Sequence, residues 1–269
     1  LRRILMKMTV PKFVSMKSKE KITMITAYDY TQAKIADEAG VDSILVGDSL
    51  SMVMQGNNST IPVSLEEMIY HGKIVKKGVN NALLVVDMPF MSYQASVEQA
   101  LLSAGRLMKE TLCDAVKLEG GQEFAQTVNK LVTSGIPVVG HLGLTPQSIN
   151  IFGSYAVRAK TKEQAEKLIQ DALILEQAGA FAVVLEAIPL GLAREITQKL
   201  KIPTIGIGAG MHCDGQVLVF HDMLGLFDDF KPKFVKRYAH LKQDAINGIK
   251  DYIKEVKNGE FPTLEYSYE

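Results

Sequence analysis

Short apolar runs recur along the whole chain, most of them ended by a charged or turn-forming residue. Eight are rich in β-branched residues: KITMITAYD (21–29), DSILVGD (42–48), ALLVVDMPF (82–90), AVKLEG (115–120), PVVGHLG (137–143), AFAVVLEAIP (180–189), PTIGIGAG (203–210) and QVLVFHDML (216–224). They are too continuous for a sheet with one wet face. They predict parallel strands buried on both faces. Between them the apolar period lengthens to that of a helix. TQAKIADEAG (31–40) lines up Ala33, Ala36 and Ala39 and stops at Gly40. The segments at 64–78, 96–112 and 161–179 open with Ser64 and Glu67, Ser96 and Gln99, and Thr161 and Gln164. That spacing is a capping box. Gly179 supplies a stop, and PLGLAREITQKL (189–200) follows the sixth run.

Eight strand–helix units with no long linker predict an α/β protein, a single (β/α)8 TIM barrel. The expected domain spans 1–269, with a short N-terminal extension and a C-terminal helical tail. A doubly wound sheet is the competing architecture, but it seldom uses eight evenly spaced units. DEAGVDSILVGD and EQAGA with IPTIGIGAG echo each other weakly, as repeated units would. The amphipathic tail from Phe227 onward is expected to supply the last barrel helix and an extension.

Five of the runs carry a chemical residue at or near the end: Asp48, Asp87, Glu119, His141 and Glu186. A buried strand gains nothing from a carboxylate. In a barrel, however, the C-terminal strand ends open into the active site, where a carboxylate leaves the packed core for a polar mouth. Asp48, Asp87 and Glu119 come from adjacent strands 2, 3 and 4. Their mutual repulsion calls for a positive partner, and a hard divalent cation with oxygen ligands, Mg²⁺ above all, is the simplest. The bland alternative is three unconnected carboxylates with solvent or lysine partners.

Lys117 and Glu119 are two apart and share a face. The lysine binds a substrate carboxylate or oxyanion, or else pairs with a neighbouring carboxylate. Glu186, reached through an apolar run, suits a general base. His141 is a proton relay, a hydrogen-bond donor or a satisfied core histidine. GIGAGMHCDG (206–215) has the look of a phosphate-cradling loop but lacks GK[ST], so close packing explains its glycines as well. His71 reads as a helix-packing residue, and Phe90 and Tyr93 line a pocket or cap the barrel.

Composition narrows the class. The chain has 269 residues, is 47% hydrophobic and 22% charged, and balances 30 basic against 30 acidic residues. That predicts a folded, soluble protein and no nucleic-acid or anionic-membrane surface. Two cysteines, Cys113 and Cys213, make neither a disulfide framework nor a CxxC site and fit a reducing cytoplasm. No apolar run reaches the roughly 18 residues of a membrane span, and the opening LRRILMKMTV is too short in apolar residues for a signal segment. A chain opening on Leu1 leads to the expectation that Met6 or Met8 is the natural start.

Taken together, TAYDY, ILVGDSL, VVDMPFMSY, KLEGG, GHLGLTPQS, VLEAIP, PTIGIGAG and CDGQVLV closely resemble the ketopantoate hydroxymethyltransferase family. The resemblance runs from about Lys21 to PKFVK at 232–236. It implies a barrel of the phosphoenolpyruvate-enzyme type. It also implies one Mg²⁺ per subunit, 5,10-methylenetetrahydrofolate as co-substrate, and formation of ketopantoate from 3-methyl-2-oxobutanoate for pantothenate and coenzyme A synthesis. By motif, Asp48, Asp87 and Glu119 surround the metal. Asp48, Ser49, Asp87, Lys117 and His141 contact the ketoacid, and Glu186 is the base. A cytoplasmic homo-oligomer, a decamer, is implied too.

The family pattern GGYKVQG after NIF is here GSYAVRA, so Ser154, Ala156, Arg158 and Ala159 depart from it. Ser51 stands where the family usually has glycine. Metal and base positions are unaltered. The runner-up is another Mg²⁺-dependent enzyme of 2-oxo acid enolates, a C–C lyase or phosphonomutase. The KKCGH-like loop of such lyases does not occur here. A third reading, an inactive barrel serving as a binding scaffold, conflicts with the intact carboxylates.

Overall fold

Burial on both faces fixes where the strands lie. The computed structural model describes residues 7–228 and 232–269. In it the eight runs become β1 (Ile22–Thr26), β2 (Ser43–Val46), β3 (Leu83–Asp87), β4 (Ala115–Glu119), β5 (Val138–Gly143), β6 (Ala182–Glu186), β7 (Thr204–Ile207) and β8 (Gly215–Leu218). All of β2, β3 and β4 is buried. Neighbours pair in parallel in chain order and β8 returns to β1, so the strands close into a barrel. The expected α/β class and (β/α)8 architecture are borne out.

Helix α1 (Val10–Ser15) precedes β1, and α2 (Tyr30–Ala39) follows it. Helices α3 (Leu50–Val53) and α4 (Leu65–Gly78) follow β2, α5 (Val97–Thr111) follows β3, and α6 (Ala125–Thr133) follows β4. Helices α7 (Ile149–Phe152) and α8 (Lys162–Ala178) follow β5, and α9 (Leu190–Lys199) follows β6. Ser64 with Glu67 and Thr161 with Gln164 form reciprocal capping boxes. The third box is half made: Ser96 caps Gln99, but the Gln99 amide turns to the Met91 carbonyl instead. Gly40 and Gly179 end their helices in the left-handed region.

Two expectations need correction. Residues 208–214 carry β7 directly to β8, without a helix between them. The run at 216–224 leaves the strand at Leu218 and is helical from Phe220. Seven residues are too few for a helix with its two turns.

Inside the barrel, Met24, Leu45, Leu83, Val85, Ala115, Val139, Ala182, Val184, Ile205 and Val217 form one buried cluster. Helix α1 joins it from the N-terminal end. Phe13 is fully buried, its ring packed edge-on against Phe181 with centroids 5.8 Å apart, and Met8 and Met16 complete the seal. Lys17 fastens this segment by an ion pair to Asp214, 2.8 Å. The amide of Met8 donates to the Asn81 carbonyl.

The chain divides into two compact units, Leu1–Val219 and Phe220–Glu269. The second carries α10 (Phe220–Met223) and α11 (Leu241–Asn258), the latter capped by left-handed Gly259.

Candidate active site

Strand parity places the chemistry. Side chains alternate along a strand, so the positions after Val85, Ala115, Val139 and Val184 on the interior face are Asp87, Lys117, His141 and Glu186. Glu119 is the next interior position on β4. The register sets Asp87 beside Lys117 and Glu119 beside His141. The charged groups thus form the layers above the apolar core, at the C-terminal end where a barrel opens. Asp48 sits two residues beyond β2, its amide donating to Asp87 Oδ2 over 3.0 Å.

The contacts run across the mouth as one chain. Lys117 Nζ lies 3.0 Å from Asp87 Oδ1 and 3.2 Å from His141 Nδ1. His141 Nδ1 is 3.4 Å from Glu119 Oε1, and Nε2 is 3.1 Å from Glu186 Oε2. Lys117, Asp87, Glu119 and His141 are buried, whereas Glu186 keeps 16% of its side chain exposed. The chain of charges therefore meets the surface at Glu186. Ser49 lies beside Asp48, and its hydroxyl is 2.8 Å from that of Tyr28.

Burial sets the protonation states. It raises the Asp48 carboxyl well above the usual carboxylate range, and the charges of Asp87 and Glu119 raise it further. Asp87 is raised by burial too, against the pull of Lys117. Burial disfavours the Lys117 ammonium, but Asp87, Glu119 and Asp48 outweigh it and hold the lysine charged. Burial and the Lys117 charge also oppose the His141 imidazolium. Its contacts with Glu119 and Glu186 prevail and bring the group up to about 9. A charged His141 turns Nδ1–H toward Glu119 and Nε2–H toward Glu186, and its 3.2 Å approach to Lys117 is a repulsion.

Within this charged cluster three buried atoms lack an aligned hydrogen bond: Asp87 Oδ1, Glu119 Oε1 and His141 Nε2. Two of them are carboxylate oxygens, hard donors of the kind that Mg²⁺ takes. Among the described residues, no three His, Cys, Asp or Glu side chains gather closely enough to enclose an ion. The two carboxylate oxygens are the observation that suits a hard cation, and Mg²⁺ commonly completes its shell with water.

Sequence reasoning missed Gln147. It lies in the 3₁₀ turn Pro146–Ser148 after β5, inside the quoted GHLGLTPQS, and nothing in its spacing marks it. Its backbone amide donates to Glu119 Oε2 (2.9 Å), and its side-chain Nε2 donates to Asp48 Oδ2 (2.8 Å) and the Met88 carbonyl (3.0 Å). Tyr93 settles as a buried strut. Its hydroxyl is 2.8 Å from Gln147 Oε1 and accepts from the Glu119 amide. Phe90 stays 38% exposed.

The other marked residues are structural. His71 Nδ1 is 2.6 Å from the Tyr28 carbonyl. Gly206 is pressed against Cys213, and Gly210 against Leu190, so close packing accounts for those two glycines. Cys113 is buried beyond the end of α5, not within the helix. Ser51 is buried and accepts from the Asn57 amide group, tying the loop after α3. In the altered segment 153–159, the Arg158 amide donates to the Ala187 carbonyl, next to Glu186. Its guanidinium reaches the Ser154 carbonyl, and Ala159 holds φ 54°.

With this geometry in view, the likeness to known proteins is decisive. The family described as Ketopantoate hydroxymethyltransferase matches residues 7–264. The chain belongs to the ketopantoate hydroxymethyltransferase family. It is 55% identical over 263 residues to the 3-methyl-2-oxobutanoate hydroxymethyltransferase of Syntrophus aciditrophicus (strain SB), covering 97% of each chain. It is equally identical to that of Porphyromonas gingivalis (strain ATCC 33277), covering 97% of this chain and 96% of the other. As a member of this family the chain is a transferase enzyme.

Among solved structures, 2,3-dimethylmalate lyase, a PEP mutase/isocitrate lyase superfamily member, superposes with a TM-score of 0.61 at 13% identity, covering 93% of this chain and 87% of that one. Phosphonopyruvate hydrolase in complex with oxalate and Mg++ gives 0.63 at 12%, covering 96% and 93%. At such identities the likeness concerns the barrel.

Proposed function

We propose that this chain transfers a hydroxymethyl unit from 5,10-methylenetetrahydrofolate to 3-methyl-2-oxobutanoate, forming 2-dehydropantoate for pantothenate and coenzyme A synthesis. The relatives' names give the ketoacid. The observation that carries the reading is the line of contacts from Asp87 through Lys117 and His141 to Glu186. It sets a fixed cation deep in the mouth and a carboxylate at its edge. Building a bond at C3 of a 2-oxo acid needs both.

The ketoacid carboxylate and 2-oxo oxygen lie toward Lys117, whose charge holds them and stabilises the enolate oxygen. Ser49, oriented by Tyr28, offers a hydroxyl to the same end. Glu186 takes the C3 proton as general base. The C–H electron pair becomes the enolate double bond, and the carbonyl π pair moves to the 2-oxo oxygen. C3 then bonds to the one-carbon unit, whose two C–N bonds to folate break while water supplies the hydroxyl oxygen, so that tetrahydrofolate leaves with the protons released. His141, charged and 3.1 Å from Glu186, keeps the base oriented and faces the proton it receives. Asp48, Asp87 and Glu119 would hold Mg²⁺, which supplies Lewis-acid polarisation of the 2-oxo group. Asp48 fits this role because burial and the neighbouring Asp87 and Glu119 charges raise its carboxyl, a strain that a positive ion relieves.

A homo-oligomeric, cytoplasmic enzyme, a decamer, completes the reading, and light scattering on the eluting peak tests the assembly. Among the described residues, no helix is long and apolar enough to cross a membrane. The chemistry is tested by proton NMR of 3-methyl-2-oxobutanoate in D₂O, without folate, with Mg²⁺ and then with chelator. Metal-dependent loss of the C3–H signal supports enolisation at this site. If bound ketoacid shows no exchange, and no ketopantoate forms on adding methylenetetrahydrofolate, the reading falls.

A further inference from the structure

We infer that Gln147 is a positioning residue that makes the mouth carboxylates present single oxygens, and so selects a small octahedral cation over a large one. The inference rests on the divalent-metal reading above and assigns its selectivity to a residue that is not itself a metal ligand.

The argument is a tally of oxygen atoms. Gln147 occupies one oxygen of Asp48 through its side-chain amide and one of Glu119 through its backbone amide. The Asp48 backbone amide occupies one oxygen of Asp87. Each of the three carboxylates therefore has one oxygen committed to an N–H donor. The remaining oxygens of Asp87 and Glu119 are buried and lack an aligned hydrogen bond. Asp87 Oδ1 faces the Lys117 ammonium at 3.0 Å and Glu119 Oε1 faces His141 Nδ1 at 3.4 Å, so a cation enters there by displacing those charges. A carboxylate held in this way reaches an ion through one atom, directly or through a water. Turning to chelate with both would weaken or break that hydrogen bond.

Denticity matters to the ion. Mg²⁺ demands six nearly octahedral ligands and keeps waters, so single oxygens suit it. Ca²⁺ takes six to eight and gains from bidentate carboxylates. A site of one-oxygen carboxylates leaves Ca²⁺ under-coordinated.

The Gln147 amide cannot easily turn over. Its Nε2 faces two acceptors, Asp48 Oδ2 and the Met88 carbonyl. Its Oε1 faces two donors, the Tyr93 hydroxyl and Gln94 Nε2. Flipping it would set oxygen against oxygen at buried positions. Burial holds the Tyr93 phenol far above its ordinary range, so it remains a donor at any working pH. The whole device is dry, with Gln147 5% exposed and Tyr93 1%.

The test measures cation affinity, not turnover. Mn²⁺ binding to the full-length protein is followed by electron paramagnetic resonance, with Mg²⁺ and Ca²⁺ as competitors, for the native chain, Gln147→Met and Tyr93→Phe. Circular dichroism checks each fold. Gln147→Met frees Asp48 Oδ2, and we expect the Ca²⁺-to-Mg²⁺ affinity ratio to rise at least tenfold. Tyr93→Phe releases the amide without removing it and should move the ratio the same way by a smaller factor. It also serves if Gln147→Met fails to fold. An unchanged ratio in a folded variant overturns the role given to Gln147. A native chain that binds no divalent cation, or that binds Mn²⁺ equally well as Asp87→Asn, overturns the metal reading itself, and the inference with it.

Discussion

His141 Nε2 lies 3.1 Å from Glu186 Oε2 and ties a fully enclosed imidazole to a carboxylate that touches solvent. His141 is drawn up to about 9. A group raised on folding adds stability that is fully present below its unfolded value, about 6.5, and is lost as pH climbs through the folded one. In chelator-treated protein the His141 ring protons should therefore titrate near 9 by NMR. The difference in melting temperature between native and His141→Asn should shrink from pH 6.5 to 9. Glu186→Gln should lower the NMR midpoint, and a midpoint left in place would contradict the pairing.

Lys117 and Asp87 form a dry ion pair, each about 5% exposed or less. Truncating one member strands a buried charge, at a cost of about 3–5 kcal/mol. Lys117→Met should lose that much by urea unfolding, and ketoacid binding should fall with it. Adding Asp87→Asn should restore part of the stability and none of the binding. Full additivity of the two losses would show that the residues do not interact.

Gly143 ends β5 at φ 96°, and a Cβ there would drive into the Glu186 carbonyl. Gly143→Ala should cost at least about 2 kcal/mol from the left-handed backbone and the clash together. It should also cut kcat by an order of magnitude, because the displaced carbonyl belongs to the proposed base. Gly40 also has positive φ but open space around it. Gly40→Ala should cost only about 1–2 kcal/mol and leave kcat alone. Equal kcat losses in the two variants would refute the coupling between Gly143 and Glu186.

Phe13 closes the N-terminal end of the barrel at zero exposure. Phe13→Ala opens a cavity among Phe181 and its neighbours and should cost about 3–5 kcal/mol. Denaturant midpoints measure this directly. A loss below about 1 kcal/mol would mean that α1 contributes little to the barrel.

The strands were legible because parallel strands buried on both faces must be written as unbroken apolar runs. The strand-end acids were legible because they break those runs. Gln147 was not, because its value lies in reaching Asp48 from 99 positions away, and no local period records that. The missing helix between β7 and β8 was open to a length argument, since seven residues separate the strands. Helix α1 was read as an extension, although Thr9 ahead of Pro11 carries a start signal, and Thr9 does cap it. The substrate proposed above rests on family likeness, because no spacing of residues encodes it.

The seal that α1 makes beneath the barrel has a kinetic meaning. With the N-terminal end packed, the C-terminal mouth is the expected way in and out. Reactant, one-carbon donor and product use the same opening, so a spent ketoacid must leave before a fresh one enters. Departure is then in series with the chemistry. Product departure is expected to share control of turnover with bond making.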